Sequence, residues 1–169
     1  MANETCLCPV CRKQSIPKRC TSFRNTCSKP KPECACKLHG IQAQLISGTD
    51  RFLGQGDIVP FNRVISSYGS TVNCNPEGDF IIEKNGTYLV NWEVAVEGCD
   101  TVPFVRFALV MGDKVHSAAA IPVTIGMLSG SAFVIAVEKT SLALVNDTGD
   151  IVRLQAVEPM ANITIVYMG

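Results

Sequence analysis

Between residues 87 and 97 apolar and polar side chains alternate with a period of two: Tyr88, Val90, Trp92, Val94 and Val96 fall on one face, Asn91, Glu93 and Glu97 on the other. This is the pattern of a strand with one buried and one wetter face. In front of it, Asn85-Gly86 follows Phe80, Ile81 and Ile82, and predicts that residues 80 to 88 turn back on themselves as a hairpin, because both central residues tolerate positive φ. Four further runs, Val105 to Met111, Ala132 to Val137, Leu142 to Val145 and Ile163 to Met168, are apolar on both faces. A solitary sandwich needs only its inner faces apolar, so these runs predict a sheet that packs against another subunit.

Turn signals separate the runs: Asn75-Pro76-Glu77-Gly78, Asn85-Gly86, Gly112-Asp113 and Asp147-Thr148-Gly149-Asp150. The spacing predicts roughly ten short strands in two sheets, an all-β fold. Val115 to Met127 is no exception, since Pro122, Thr124 and Gly126 favour strands and a loop over a helix. Residues 1–40 differ. From Cys6 to Cys36 they show neither a period of two nor one of 3.6 and are interrupted by Pro9, Pro17, Pro30 and Pro32, which predicts an irregular arm ahead of a domain spanning residues 41–169.

The chain of 169 residues is 47% hydrophobic, enough for one sizeable core. Its formal charge of zero is unevenly spread. The arm holds eight basic residues against Glu4 and Glu33, net +6, and the domain seven basic against thirteen acidic, net −6. Halves of opposite sign attract at low salt. The opening Met-Ala-Asn-Glu-Thr lacks a basic segment followed by an apolar one, so synthesis without a secretory signal peptide is expected. The longest apolar region, Ala118 to Leu128, is broken by Pro122, Thr124 and Gly126, and no membrane helix is expected.

The order of motifs carries a family resemblance. Asp57-Ile-Val-Pro-Phe61-Asn-Arg-Val64 leads through Gly69 to Phe80-Ile-Ile, then to Asn85-Gly86-Thr-Tyr88-Leu-Val-Asn-Trp92. Ser129-Gly130-Ser131 precedes an apolar strand, Asn146-Asp-Thr-Gly149-Asp150-Ile-Val-Arg153-Leu154 turns into the penultimate one, and Ile163-Thr-Ile-Val-Tyr167 forms the last. Over residues 41–169 this resembles the globular heads of the tumour necrosis factor and complement q superfamily. Within it, the Val-Pro-Phe-Asn-x-Val start and the apolar, Thr-rich strands look most like the BclA-type heads of the exosporium, the outer layer of bacterial endospores. The resemblance implies a jelly-roll β-sandwich that assembles as a homotrimer with a structural or surface-display role. It also implies a spore-surface location, reached from the mother-cell cytoplasm, with other spore surface proteins as possible neighbours. The sequence shows no Gly-x-y collagen stretch, and the arm shows no sign of the Pro-rich anchoring leader of BclA-type proteins, so a collagen-stalked filament is not expected; a cysteine arm stands in its place.

That arm holds Cys6, Cys8, Cys11, Cys20, Cys27, Cys34 and Cys36, and the domain adds Cys74 and Cys99. Nine is odd, so if all pair, at least one disulfide reaches another chain. All nine are candidates for intermolecular bonds. In a jelly roll the loops holding Cys74 and Cys99 are expected at one end of the sandwich, where the two thiols would pair together or receive arm cysteines from the next trimer. The arm would dock on the oppositely charged head of a neighbouring trimer, and oxidation would lock the contact into an exosporium fibre, an appendage or a lattice. The alternative is metal: Cys6-x-Cys8-x-x-Cys11 and Cys34-x-Cys36-x-x-His39 form a degenerate repeat of soft ligands suited to zinc, without the usual Cys-x-x-Cys pairing. Otherwise no cofactor is expected.

Catalytic motifs are missing. There is no Gly-x-Ser-x-Gly elbow, phosphate loop, dinucleotide fingerprint or His-Glu-x-x-His, and a Cys-His pair would need Cys74 or Cys99 beside His116, which reads as an exposed strand end. An enzyme is therefore not expected. Phe23 is the arm's only aromatic, so base stacking is poorly supplied and nucleic acid is not an expected partner. Asn85, Asn146 and Asn162 open Asn-x-Thr triplets that are read as turn and strand residues rather than glycan acceptors. The rival to a scaffold is a trimeric ligand- or receptor-binding head.

Overall fold

The computed structural model describes residues 38–46, 51–98, 102–122 and 125–169. Among them the chain forms no helix and twelve strands: β1 (His39–Leu45), β2 (Phe52–Leu53), β3 (Arg63–Tyr68), β4 (Val72–Cys74), β5 (Phe80–Ile82), β6 (Gly86–Gly98), β7 (Phe104–Met111), β8 (Lys114–Pro122), β9 (Gly126–Ala136), β10 (Ser141–Asn146), β11 (Val152–Leu154) and β12 (Ala161–Tyr167). The first strand thus takes in His39 and Gly40, which the sequence pattern grouped with the arm.

The strands make two antiparallel sheets. The first runs β2-β11-β6-β12-β1-β3, with β9 on the opposite side of β6, and the second runs β4-β5-β10-β7-β8. Strand β6 organises the first sheet, pairing with β12 from Tyr88 to Val94 and with β9 from Gly86 to Val96. Its alternation is the one read from the sequence. Tyr88, Val90, Trp92, Val94 and Val96 are at most 1% exposed and meet Phe80, Ile82, Phe107, Leu109, Leu142 and Leu144 of the second sheet in one core. Burial of each such large side chain contributes about 1.5–3 kcal/mol. The indole of Trp92 lies against Gly130, its partner on β9, where any Cβ would stand 2.8 Å from Nε1.

The described residues of Val115 to Met127 fall in β8 and around the start of β9 and form no helix, in line with the sequence reading. The hairpin expected at Asn85-Gly86 is absent. Strand β5 pairs with β4 and β10 in the second sheet while β6 belongs to the first, so the chain crosses between layers at this point. Each residue has a different task there. Asn85 Oδ1 accepts the Glu138 backbone N–H at 2.6 Å, tying the crossing to the β9–β10 turn. Gly86 takes a φ of +152°, and a Cβ on it would lie 2.5 Å from the Tyr167 ring and 2.8 Å from the Gly169 carbonyl oxygen. The glycine serves close packing by the C-terminal strand, a need that a two-residue turn signal cannot disclose.

The turn after β10 is held from inside. Asn146 is fully buried; its Nδ2 donates to the carbonyls of Leu53, Gly54 and Asp150, and its Oδ1 accepts the Thr148 N–H. Thr148 in turn brackets Arg106, accepting its N–H and donating to its carbonyl. Asn146 is therefore a structural pin, inaccessible as a glycan acceptor. Asn146→Ala leaves three carbonyls without their donor and should lower unfolding stability by about 2–4 kcal/mol, measured as a shift in urea midpoint at unchanged slope. Loss of less than about 0.5 kcal/mol would mean the pin is dispensable.

Candidate assembly surface

The inner face of the first sheet is covered by the second sheet, but its outer face is not covered by any described residue, and its composition follows from strand register. Reading straight across from β9 through β6, β12 and β1 to β3, directly paired residues form rows sharing one face. One row is Phe133, Leu89, Val166, Gly40 and Tyr68. Two residues along the strands, the next is Ser131, Asn91, Thr164, Gln42 and Ser66, and the third is Ser129, Glu93, Asn162, Gln44 and Arg63. The face thus changes from apolar to polar along the strand direction.

At the apolar end the side chains meet solvent. Phe133 is 70% exposed, Ile135 77% and Tyr68 58%, with Leu38, Val137 and Met168 exposed nearby. Such a run of large apolar side chains open to water is the kind of patch that marks candidate contact surfaces, and β8 flanks it, Ser117 Oγ donating to the Ser131 carbonyl at 3.4 Å. The outward residues of the second sheet behave differently: Ala108 and Ala143 are buried, small enough to be covered by their own neighbours. Runs apolar on both faces therefore arise in two ways, and of the four the run Ala132 to Val137 leaves the most large side chains uncovered, Phe133, Ile135 and Val137.

The polar end contains a recess of about 410 Å³ lined by Asn91, Glu93, Ser129, Ser131 and Asn162. Ser131 Oγ donates to Asn91 Oδ1 at 2.7 Å and Gln42 Nε2 donates to Asn162 Oδ1 at 3.3 Å, so the carboxamides are oriented. Arg51 and Arg153 both pair with Glu97, Arg106 pairs with Asp147, and Lys139 pairs with Glu83. Glu93 and Arg63 have no ion-pair partner among the described residues.

Strand β3 owes its orientation to a register shift. Gln42 pairs with Ser66 but Ala43 pairs with Val64, so Ile65 is an extra residue. Such a bulge re-aims the side chains beyond it. Val64 comes to share the face of Ala43, and Arg63 comes to the outer face beside Gln44. Arg63 and Val64 stand in the Val-Pro-Phe-Asn-x-Val start singled out in the sequence, but Arg63-Val64-Ile65 gives no periodic signal to orient them; a bulge is visible only once the partner strand is known.

Of the cysteine candidates, Cys74 lies within the described residues, and Cys6, Cys8, Cys11, Cys20, Cys27, Cys34, Cys36 and Cys99 lie outside them. Cys74 ends β4 as a half-buried free thiol, with its Sγ 3.5 Å from the Asn75 carbonyl. Burial, and secondarily the Asp79 carboxylate, push its pKa above the ordinary value. Of the zinc candidates only His39 is described; it packs edge-on to Tyr167, and its Nδ1 is buried without a partner. No group of three or more possible metal ligands occurs among the described residues. His116 is not an exposed strand end: it is the extra residue where β8 shifts register against β7, half-buried, with Nε2 enclosed and unpaired. It stands on β8 and Cys74 on β4, the two opposite edges of the second sheet, so these two residues form no Cys-His pair.

No family model and no curated relative matches the chain. Solved structures match its fold. The tumour necrosis factor Eiger of S. frugiperda superposes with a TM-score of 0.55 at 14% identity, covering 78% of this chain and 94% of its own. The globular domain of zebrafish complement 1qA gives 0.58 at 11% identity over 78% and 98%, and murine APRIL 0.59 at 8% over 78% and 100%. The fold is the jelly roll of tumour necrosis factor and complement q. This jelly roll was the architecture implied by the order of motifs along residues 41–169, and at these identities the match establishes the fold alone.

A thiol stabilised in its neutral form reacts slowly, because the thiolate is the nucleophile. With iodoacetamide at pH 7.5, read peptide by peptide, Cys74 of the folded protein should label more slowly than in urea. Asp79→Asn should raise its rate. Equal rates in the folded and unfolded chain would contradict the burial described.

Proposed function

We propose that this protein is a structural, non-enzymatic subunit that self-assembles: its jelly-roll head forms a homotrimer through the outer face of the first sheet, and its N-terminal arm links trimers to one another through cysteines. The main support is the exposed apolar end of that face. Phe133, Ile135 and Tyr68 would each contribute up to about 1.5–3 kcal/mol on burial, a substantial part of the cost of association. Opposite charges on arm and head and the odd number of cysteines support the second step. In this reading the assembly is a fibre or lattice of the exosporium on an endospore surface, supported by the likeness of the Val-Pro-Phe-Asn-x-Val start to BclA-type heads.

The tumour necrosis factor and complement neighbours favour a second reading, a trimeric head that binds a ligand or receptor and does not polymerise. Gel electrophoresis separates the two. A ladder without reductant that collapses with it supports the scaffold; a discrete trimer indifferent to reductant supports the binding head. Stoichiometric zinc in the same sample would instead assign Cys6, Cys8, Cys11, Cys34, Cys36 and His39 to metal.

For the head, sedimentation under reducing conditions should give three times the chain mass. Phe133→Asp with Ile135→Asp should shift it to monomer while circular dichroism stays that of a β-sandwich. A wild-type monomer, or a double variant that remains trimeric, would count against this face as the contact.

A further inference from the structure

The three rows of the outer face end differently on their two sides. On the β9 side they end in Phe133, Ser131 and Ser129, and on the β3 side in Tyr68, Ser66 and Arg63. Rotation about an axis parallel to the strands leaves height along the strands unchanged. It therefore brings the β9 side of one copy against the β3 side of the next with matching rows level: apolar with apolar, serine with serine, and the recess holding Glu93 with Arg63. Ring closure of this head-to-tail kind is what a cyclic oligomer requires.

We propose that Arg63 of one copy inserts into the Glu93 recess of its neighbour, an inference that rests on the trimer reading above. Three observations converge on it. Glu93 and Arg63 lack ion-pair partners among the described residues, although the other arginines there, Arg51, Arg106 and Arg153, each have one. Within one copy the two stand three strands apart, about 14 Å at ordinary strand spacing, separated by Asn162 and Gln44. The recess of about 410 Å³ is bounded toward β9 by Ser129 and Ser131, whose small side chains leave it open to a guanidinium arriving over the outer face; the β9 edge itself is flanked by β8, whose Ser117 Oγ donates to the Ser131 carbonyl.

The chemistry suits arginine. Glu93 accepts a forked pair of hydrogen bonds, and the carboxamide oxygens of Asn91 and Asn162 take up remaining N–H groups, so the charge is not left bare when the interface closes. The bulge at Ile65 puts Arg63 on this face; without the extra residue it would point to the other side of the sheet. The apolar rows supply affinity, while this pair fixes which edge meets which and at what height.

The test uses the full-length chain in reductant, with sedimentation velocity over a dilution series. Glu93→Arg and Arg63→Glu alone should each raise the concentration at which trimers dissociate by about tenfold or more, by placing like charges together. The double exchange should bring it back to within about threefold of wild type. Both positions are exposed, so folding is retained, and circular dichroism checks it. Trimers indifferent to the single exchanges, or a double exchange no better than the singles, would overturn the pairing and leave the trimer standing. A wild type that is monomeric at every concentration would overturn the trimer as well.

Discussion

A sheet has two faces, and this chain encloses one of them. The second sheet covers the inner face of the first, with Trp92, Tyr88 and Val90 at the centre of the contact. The outer face carries Phe133 and Ile135 into water. Because side chains alternate strictly along a strand, the residues that complete the core fix the position of those that remain outside. The uncovered row is thus a direct product of the register that makes the core, and the exposed apolar surface is as well defined as the fold itself.

Much of the architecture could be read from the chain. The alternation from Tyr88 to Val96 placed the central strand and its buried face correctly, and Pro122 and Gly126 ruled out a helix where apolar content alone might have suggested one. Reading failed where a residue's role is set by a distant partner. Asn85-Gly86 has the local chemistry of a hairpin, yet Asn85 is committed to Glu138 and Gly86 to the packing of Tyr167, both far along the chain. His116 looked like the polar end of a strand, and the register shift between β7 and β8 enclosed it.

The candidate site was legible only in outline. Strands apolar on both sides pointed to a partner subunit, but sequence could not separate alanines that close over themselves from the phenylalanine and isoleucine that do not. Arg63 gave no signal of its orientation, since that depends on one extra residue in β3 that shows itself only against β1. The cysteine arm is the reverse case, conspicuous in composition and lying outside the described residues apart from its last positions.

The first strand enters the sheet at the apolar end, with Gly40 in the row of Phe133 and Tyr68. A ring generated by rotation about the strand direction would gather every copy's entry point on one rim and leave the opposite rim without any. Such a particle has a front and a back. Joined end to end through the segments that precede those entry points, it would build a polymer whose two ends are chemically distinct, able to grow and to anchor by different means.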